Sequence, residues 1–144
     1  MKLFTIGFTK STAEHFFTRL KQAGVKRVID VRLQNNSQLA GFTKKPDLEY
    51  FLKSLCRVEY EHRTDLAPTQ EMLDAHQSGK SKWPAYEKKL RALLASRKIE
   101  KTLTRAAADG ACLLCGEAKP DECHRRVVAE YLQAKWSGVE IVHL

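Results

Sequence analysis

The apolar positions of this chain fall into short blocks whose period switches between that of a strand and that of a helix. Leu3 to Ile6 reads as a first strand, and Gly7 to Lys10 as the turn after it. Ser11-Thr12-Ala13-Glu14 has the spacing of a capping box with Ser11 as the cap, and Phe16, Phe17, Leu20 and Ala23 then recur on one helical face. Gly24 suits the left-handed residue that ends a helix. Arg27-Val28-Ile29-Asp30-Val31 is a β-branched run of the kind covered on both faces of a sheet. Strand, helix and strand in so short a span predict a βαβ unit with parallel strands.

From Leu33 to Lys45 the chain is polar and aperiodic, which predicts a mobile loop. Pro46 is expected in the first turn of a helix whose apolar side is Leu48, Phe51, Leu52 and Leu55. Val58 to His62 alternates as a short or edge strand does. Thr69 to Lys82 predicts a short helix ending near Gly79, and Trp83-Pro84 opens another with Leu90, Leu93 and Leu94 inside. Arg97 falls where that apolar phase should continue, so a break is expected near Ser96. A second helix then carries Ile99, Leu103 and Ala106 and stops at Gly110. Ala111 to Leu114 is a buried strand closed by Gly116. Val127, Val128, Tyr131 and Leu132 mark a helix entered at Pro120 and capped by Asp121, with Cys123, His124 and Arg125 in its first turn. Val139 to Val142 is the last strand. The fold class expected is α/β, a single domain with a three-layer, mainly parallel, Rossmann-like sheet flanked by helices. Such sheets bind ligands beyond the carboxyl ends of their strands. The residues that follow the predicted strands are Gly7 to Ser11, Asp30 to Arg32, His62 to Arg63 and Cys115 to Glu117.

Several short motifs sit on these elements. Cys115-x-Glu117, a proline-containing turn and Cys123-His124-Arg125 are preceded by Thr5-Ile6-Gly7, by Asp30-Val31-Arg32 followed by Gly41-Phe42, and by Val58-Glu59-Tyr60. Together, over nearly the whole chain, they resemble the domain of unknown function 488 family. The resemblance implies an α/β fold and a site built on these motifs, but no reaction. Phe8 departs from the family pattern, in which histidine is frequent at that place.

Length and composition then bound the class. With 144 residues and 43% apolar content the chain can bury the core of one domain. No run approaches the roughly 18 apolar residues of a membrane span. Met1 to Phe4 leads into a strand instead of a signal peptide, so a soluble cytoplasmic protein with reduced cysteines is expected. A net charge of +8 suits an anionic small molecule or a nucleic acid as partner without choosing between them, and nothing in the sequence sets an oligomeric state.

The chemistry gathers at the strand ends. Asp30 and Arg32 share a strand face, where they would orient a substrate or simply pair with each other. A thiol at a helix start beside arginines would ionise more easily, although the same segment also reads as a helix terminus with scattered polar residues. The candidate catalytic residues are therefore Cys115 or Cys123 as nucleophile and Glu117 or His124 as proton carrier. Arg32 and Arg125, with Asp30 and Gly7, would bind the anion. Glu117 would act as a general base if burial raised its pKa, or as a salt-bridge partner of Arg125.

Cys112-x-x-Cys115 and Cys123-His124 supply enough ligands for zinc. However, Cys112 and Cys115 should face opposite sides of a strand, and Cys123 and His124 should diverge on a helix, so no metal and no cofactor is expected. Cys56 and Cys112 read as packing residues, and His15, His76 and His143 as surface or cap residues. Neither the dinucleotide fingerprint nor a P-loop is present, and no arginine stands six positions past either site cysteine. Val28 to Arg32 looks like a rhodanese strand, but Glu117 next to Cys115 would repel an anionic sulfur donor. The leading expectation is a small enzyme acting on an anionic, nucleotide or nucleic-acid-like substrate. The alternative is a non-catalytic nucleic-acid-binding module using Arg97, Lys98, Lys101 and Arg105, a set that also suits a merely solvated helix face.

Overall fold

The computed structural model describes residues 1–35, 41–117 and 121–144. Its five strands are β1 (Lys2–Gly7), β2 (Arg27–Asp30), β3 (Glu59–His62), β4 (Ala111–Cys115) and β5 (Glu140–His143). All pairs are parallel, in the order β3-β2-β4-β1-β5. The buried strand β4 inserts between β1 and β2, so the first βαβ crossover spans one strand, and the alternating β3 lies at an edge as its pattern predicts. The helices are α1 (Ala13–Ala23), α2 (Asp47–Phe51), α3 (Gln70–Gln77), α4 (Trp83–Arg97), α5 (Ile99–Thr102), α6 (Arg105–Ala108) and α7 (His124–Lys135). None of the described helices is long and apolar enough to cross a membrane.

Strand alternation divides the core into two layers. Phe4, Ile6, Val28, Cys112 and Leu114 face α1 and α2, where Phe16, Phe17, Leu20, Leu48 and Leu52 pack on them. Leu3, Ile29, Val31, Leu113 and Cys115 face α4 and α7, meeting Leu90, Leu94, Val127, Val128 and Leu132. This is the three-layer α/β architecture that the periodicity predicts.

Several local expectations are corrected. The cap of α1 is Thr12, whose hydroxyl accepts from His15 N at 3.1 Å, while the Ser11 hydroxyl donates to the Thr12 carbonyl. The other end is as expected, with Gly24 left-handed at φ 72°. Pro46 stands just outside α2, and beyond Phe51 the helix widens into a π-helical turn over Leu52–Cys56. A wider turn shifts the side-chain phase, so Leu48 and Leu52 stay buried but Leu55 is 53% exposed. The break after α4 falls at Lys98, left-handed at φ 51°, and the helix expected beyond it is two short pieces with Ala108, not Ala106, inside. Asp121 is exposed and α7 begins at His124, so Cys123 is itself the cap residue, extended at φ −132° and ψ 137°. Pro120 and residues 36–40 of the predicted loop lie outside the described residues, and the rest of that loop includes a 3-10 turn at Gly41–Thr43.

Candidate functional site

Because the strands run one way, Gly7, Asp30, His62 and Cys115 all finish at one edge. Two polar clusters form there. In the first, Arg32 donates from Nε and Nη2 to the two Asp30 oxygens at 2.9 and 2.7 Å, and Tyr60 donates to Asp30 Oδ2 at 2.6 Å. Arg32 Nη2 also reaches the Thr43 carbonyl at 2.8 Å. Asp30 is fully buried and Arg32 is 7% exposed, so the acid serves as the anchor of the guanidinium. Burial, reinforced by the hydrogen bond to Asp30, pushes the Tyr60 phenol up. Arg32 stays charged, since the Asp30 contacts outweigh the desolvation that opposes it. Its Nη1 is buried with no hydrogen-bond partner among the described residues. The guanidinium lies 5.0 Å from the centroid of the Phe8 ring.

The second cluster joins the end of β4 to the start of α7. Cys115 Sγ is 3.3 Å from His124 Nδ1 and 3.3 Å from Glu117 Oε2, and Cys123 Sγ is 3.1 Å from the same Glu117 oxygen. His124 Nε2 is 2.6 Å from the Val31 carbonyl. A carbonyl only accepts, so Nε2 carries a hydrogen and Nδ1 faces the sulfur. The ligating atoms of Cys115, Cys123 and His124 all lie within 4.8 Å of one another. The expected divergence of Cys123 and His124 is thus overturned: the extended backbone of the cap residue turns its sulfur back toward β4, where a helical residue would point away. Cys112 does face the opposite layer, where burial raises its thiol pKa and it packs as an apolar residue.

Electrostatics revise two further expectations. The Cys123 thiol is pushed well up, first by burial and then by Cys115, and His124 opposes the shift without reversing it. Burial opposes ionisation of Glu117 as well, but hydrogen bonds from Cys123, its own backbone and Cys115 hold its carboxyl below the usual range. Glu117 is exposed as a residue while its Oε2 turns inward to the thiols, which makes it the link between the cluster and solvent.

Arg125 is wholly buried; its Nη1 donates to the main-chain carbonyl of Glu117 and lies 3.5 Å from Cys123 Sγ. Gly7 lies directly beneath this turn. A Cβ there would collide with the Glu117 carbonyl and stand 2.7 Å from Arg125 Nη1, and the amides of Phe8 and Thr9 donate to the Gly116 carbonyl at 3.3 and 3.0 Å. Gly7 therefore shapes the site by permitting close approach of the Cys115–Glu117 turn.

Sequence reasoning missed Tyr60 as the second anchor of Asp30; it placed His62 at this edge but not its contact with the Arg32 carbonyl, which lies 2.7 Å from His62 Nε2. Val58-Glu59-Tyr60 was a visible motif, but only the register of β3 on β2 brings these rings to Asp30 and Arg32. Two other histidines have specific partners: His143 Nδ1 is 2.5 Å from Thr5 Oγ1, and His76 stacks 4.7 Å from the Tyr86 ring. In the basic set, Arg97 donates to the carbonyls of Asp65 and Ala67 at 2.9 and 2.6 Å, whereas Lys98, Lys101 and Arg105 are exposed.

The arrangement offers an anchored guanidinium, an imidazole of fixed orientation, two thiols and a carboxylate. None of the curated proteins and none of the solved structures compared with the chain matches it. The family model described as Domain of unknown function DUF488 matches residues 12–132, a span that holds Asp30, Arg32, Tyr60 and the whole Cys115–His124 cluster, and the chain belongs to that family.

Proposed function

We propose that this chain is an enzyme acting on an anionic, nucleotide or nucleic-acid-like substrate at the carboxyl edge of its sheet. The observation that carries the reading is Arg32 Nη1, buried and without a partner among the described residues, next to the thiol–imidazole cluster. One edge of the guanidinium is fixed by Asp30, which leaves N–H groups of the other for an anion. His124 is held by Val31, the residue preceding Arg32, so the clamp and the reactive groups are tied to adjacent backbone positions. In this reading Arg32 grips the anion, Glu117 moves a proton, and Cys115, Cys123 and His124 complete the reactive centre. The net charge of +8 favours approach of such a substrate. The four unpaired cysteines suit the reducing cytoplasm.

The competing reading is a nucleic-acid-binding module that uses the exposed Lys98, Lys101 and Arg105. Rhodanese-like sulfur transfer is disfavoured by the carboxylate 3.3 Å from Cys115 Sγ. The deciding experiment incubates the chain with a panel of nucleotides and short oligonucleotides and follows products by mass spectrometry. Turnover of one of them, lost in Arg32→Ala and in Cys115→Ser, is expected. No turnover, together with oligonucleotide binding that weakens only when Lys98, Lys101 and Arg105 are removed, would replace the enzyme with the module.

A further inference from the structure

We propose that Cys115, Cys123 and His124 form a binding site for a single zinc ion, with the sulfurs and Nδ1 as its three protein ligands. Cys115 has one S–H hydrogen but two acceptors, Glu117 Oε2 and His124 Nδ1, each at 3.3 Å. Whichever acceptor takes it, the other is left against a sulfur lone pair. Cys123 has its only S–H directed at the same Glu117 oxygen. The centre is therefore rich in lone pairs and poor in hydrogens, and a cation resolves the conflict for all of its members at once.

The geometry fits the ion. Zinc binds thiolate at about 2.3 Å and imidazole at about 2.0–2.1 Å, so two ligands of a tetrahedral ion stand roughly 3.3–3.8 Å apart. The sulfur to Nδ1 distance of 3.3 Å and the 4.8 Å limit on the whole trio match a cluster that closes on an ion after small rotations. Two thiolates with one imidazole are a donor set that selects zinc over harder cations. The surroundings are those of a metal centre as well: His124 gives its other ring hydrogen to the Val31 carbonyl, and Arg125 Nη1 directs a donor at Cys123 Sγ.

Binding converts two thiols and one dication into a neutral zinc dithiolate and releases two protons, for which Glu117 is the exit to solvent. The cation's own charge overcomes the desolvation of the thiols. Three protein ligands leave a fourth position open. Assigning that position to the substrate or to a water acting on it rests on the functional reading above; the coordination itself does not.

The test adds Co2+ to the metal-stripped wild-type chain and records its absorption. A thiolate-to-cobalt charge-transfer band with the visible bands of a tetrahedral ion, saturating at one ion per chain and erased by Zn2+, is expected. Cys123→Ser and His124→Ala should each weaken binding by about tenfold or more, while Cys56→Ser leaves the spectrum unchanged. Absence of the charge-transfer band in the wild-type chain overturns the proposal without relying on any variant to fold, as does a band indifferent to Cys123→Ser. Arg32→Ala separates this inference from the enzyme reading. It should keep the cobalt spectrum, so a chain that binds the ion but ignores every nucleotide would retain the metal site and lose the proposed activity.

Discussion

The imidazole Nε2 of His124 lies 2.6 Å from the carbonyl oxygen of Val31, a residue 93 positions earlier in the chain. This contact ties the start of α7 to the end of β2 and fixes which ring nitrogen faces Cys115. It predicts a ring N–H at Nε2 that exchanges slowly with solvent and correlates with the other His124 ring atoms in long-range proton–nitrogen spectra. A fast-exchanging ring, or a hydrogen on Nδ1 alone, contradicts the assignment.

The Asp30 carboxylate is buried and depends on Arg32 and Tyr60 for its hydrogen bonds. Tyr60→Phe removes one bond to a charged group and should cost about 1.5–3 kcal/mol. Arg32→Ala strands the buried carboxylate and should cost about 3–5 kcal/mol. Urea unfolding of the two variants checks the order, and equal losses would mean that the guanidinium is not the main partner.

Gly7 has no positive φ to justify it; its constraint is the Glu117 carbonyl above it. Gly7→Ala should destabilise by about 3 kcal/mol or more, because the obstacle is backbone and cannot rotate away. Gly41→Ala, where a Cβ meets nothing within 4 Å among the described residues, is the control and should be nearly neutral.

Asp65 is held below the usual carboxylate range chiefly by the hydrogen bond from Arg63, with burial opposing. A depressed folded pKa contributes stability above the unfolded value of about 3.9, and that contribution is lost as pH falls through the folded value. The pair is partly exposed, so Asp65→Asn should cost at most about 1 kcal/mol at neutral pH. Denaturant midpoints of the two proteins should converge in strong acid. A gap that persists there would assign the effect to packing.

The architecture was legible because the strands and most helices have the period of their environment: Arg27 to Val31 and Ala111 to Leu114 read as buried strands, and β2 and β4 occupy Arg27–Asp30 and Ala111–Cys115. The misplacements have local causes. A π-helical turn moved Leu55 outward, and a cap one residue later than expected replaced Ser11 by Thr12. The candidate site was legible as a list of residues at strand ends and one helix start, including Cys115, Glu117, Cys123 and His124. Their mutual contact was not, because it depends on the extended backbone at Cys123, which no helical pattern encodes. Nor did spacing reveal that Tyr60 reaches Asp30, since that contact follows from the pairing of β3 with β2.

The most direct test of the central claim is a nuclear magnetic resonance titration of the chain with adenosine monophosphate at fixed ionic strength, reading backbone amides and arginine side chains together. The account predicts that the Arg32 guanidinium and the amides of Phe8, Cys115 and Gly116 move and saturate, while Lys98, Lys101 and Arg105 stay still. Shifts confined to those three exposed cations, or none at all, would contradict an anion site at the carboxyl edge of the sheet.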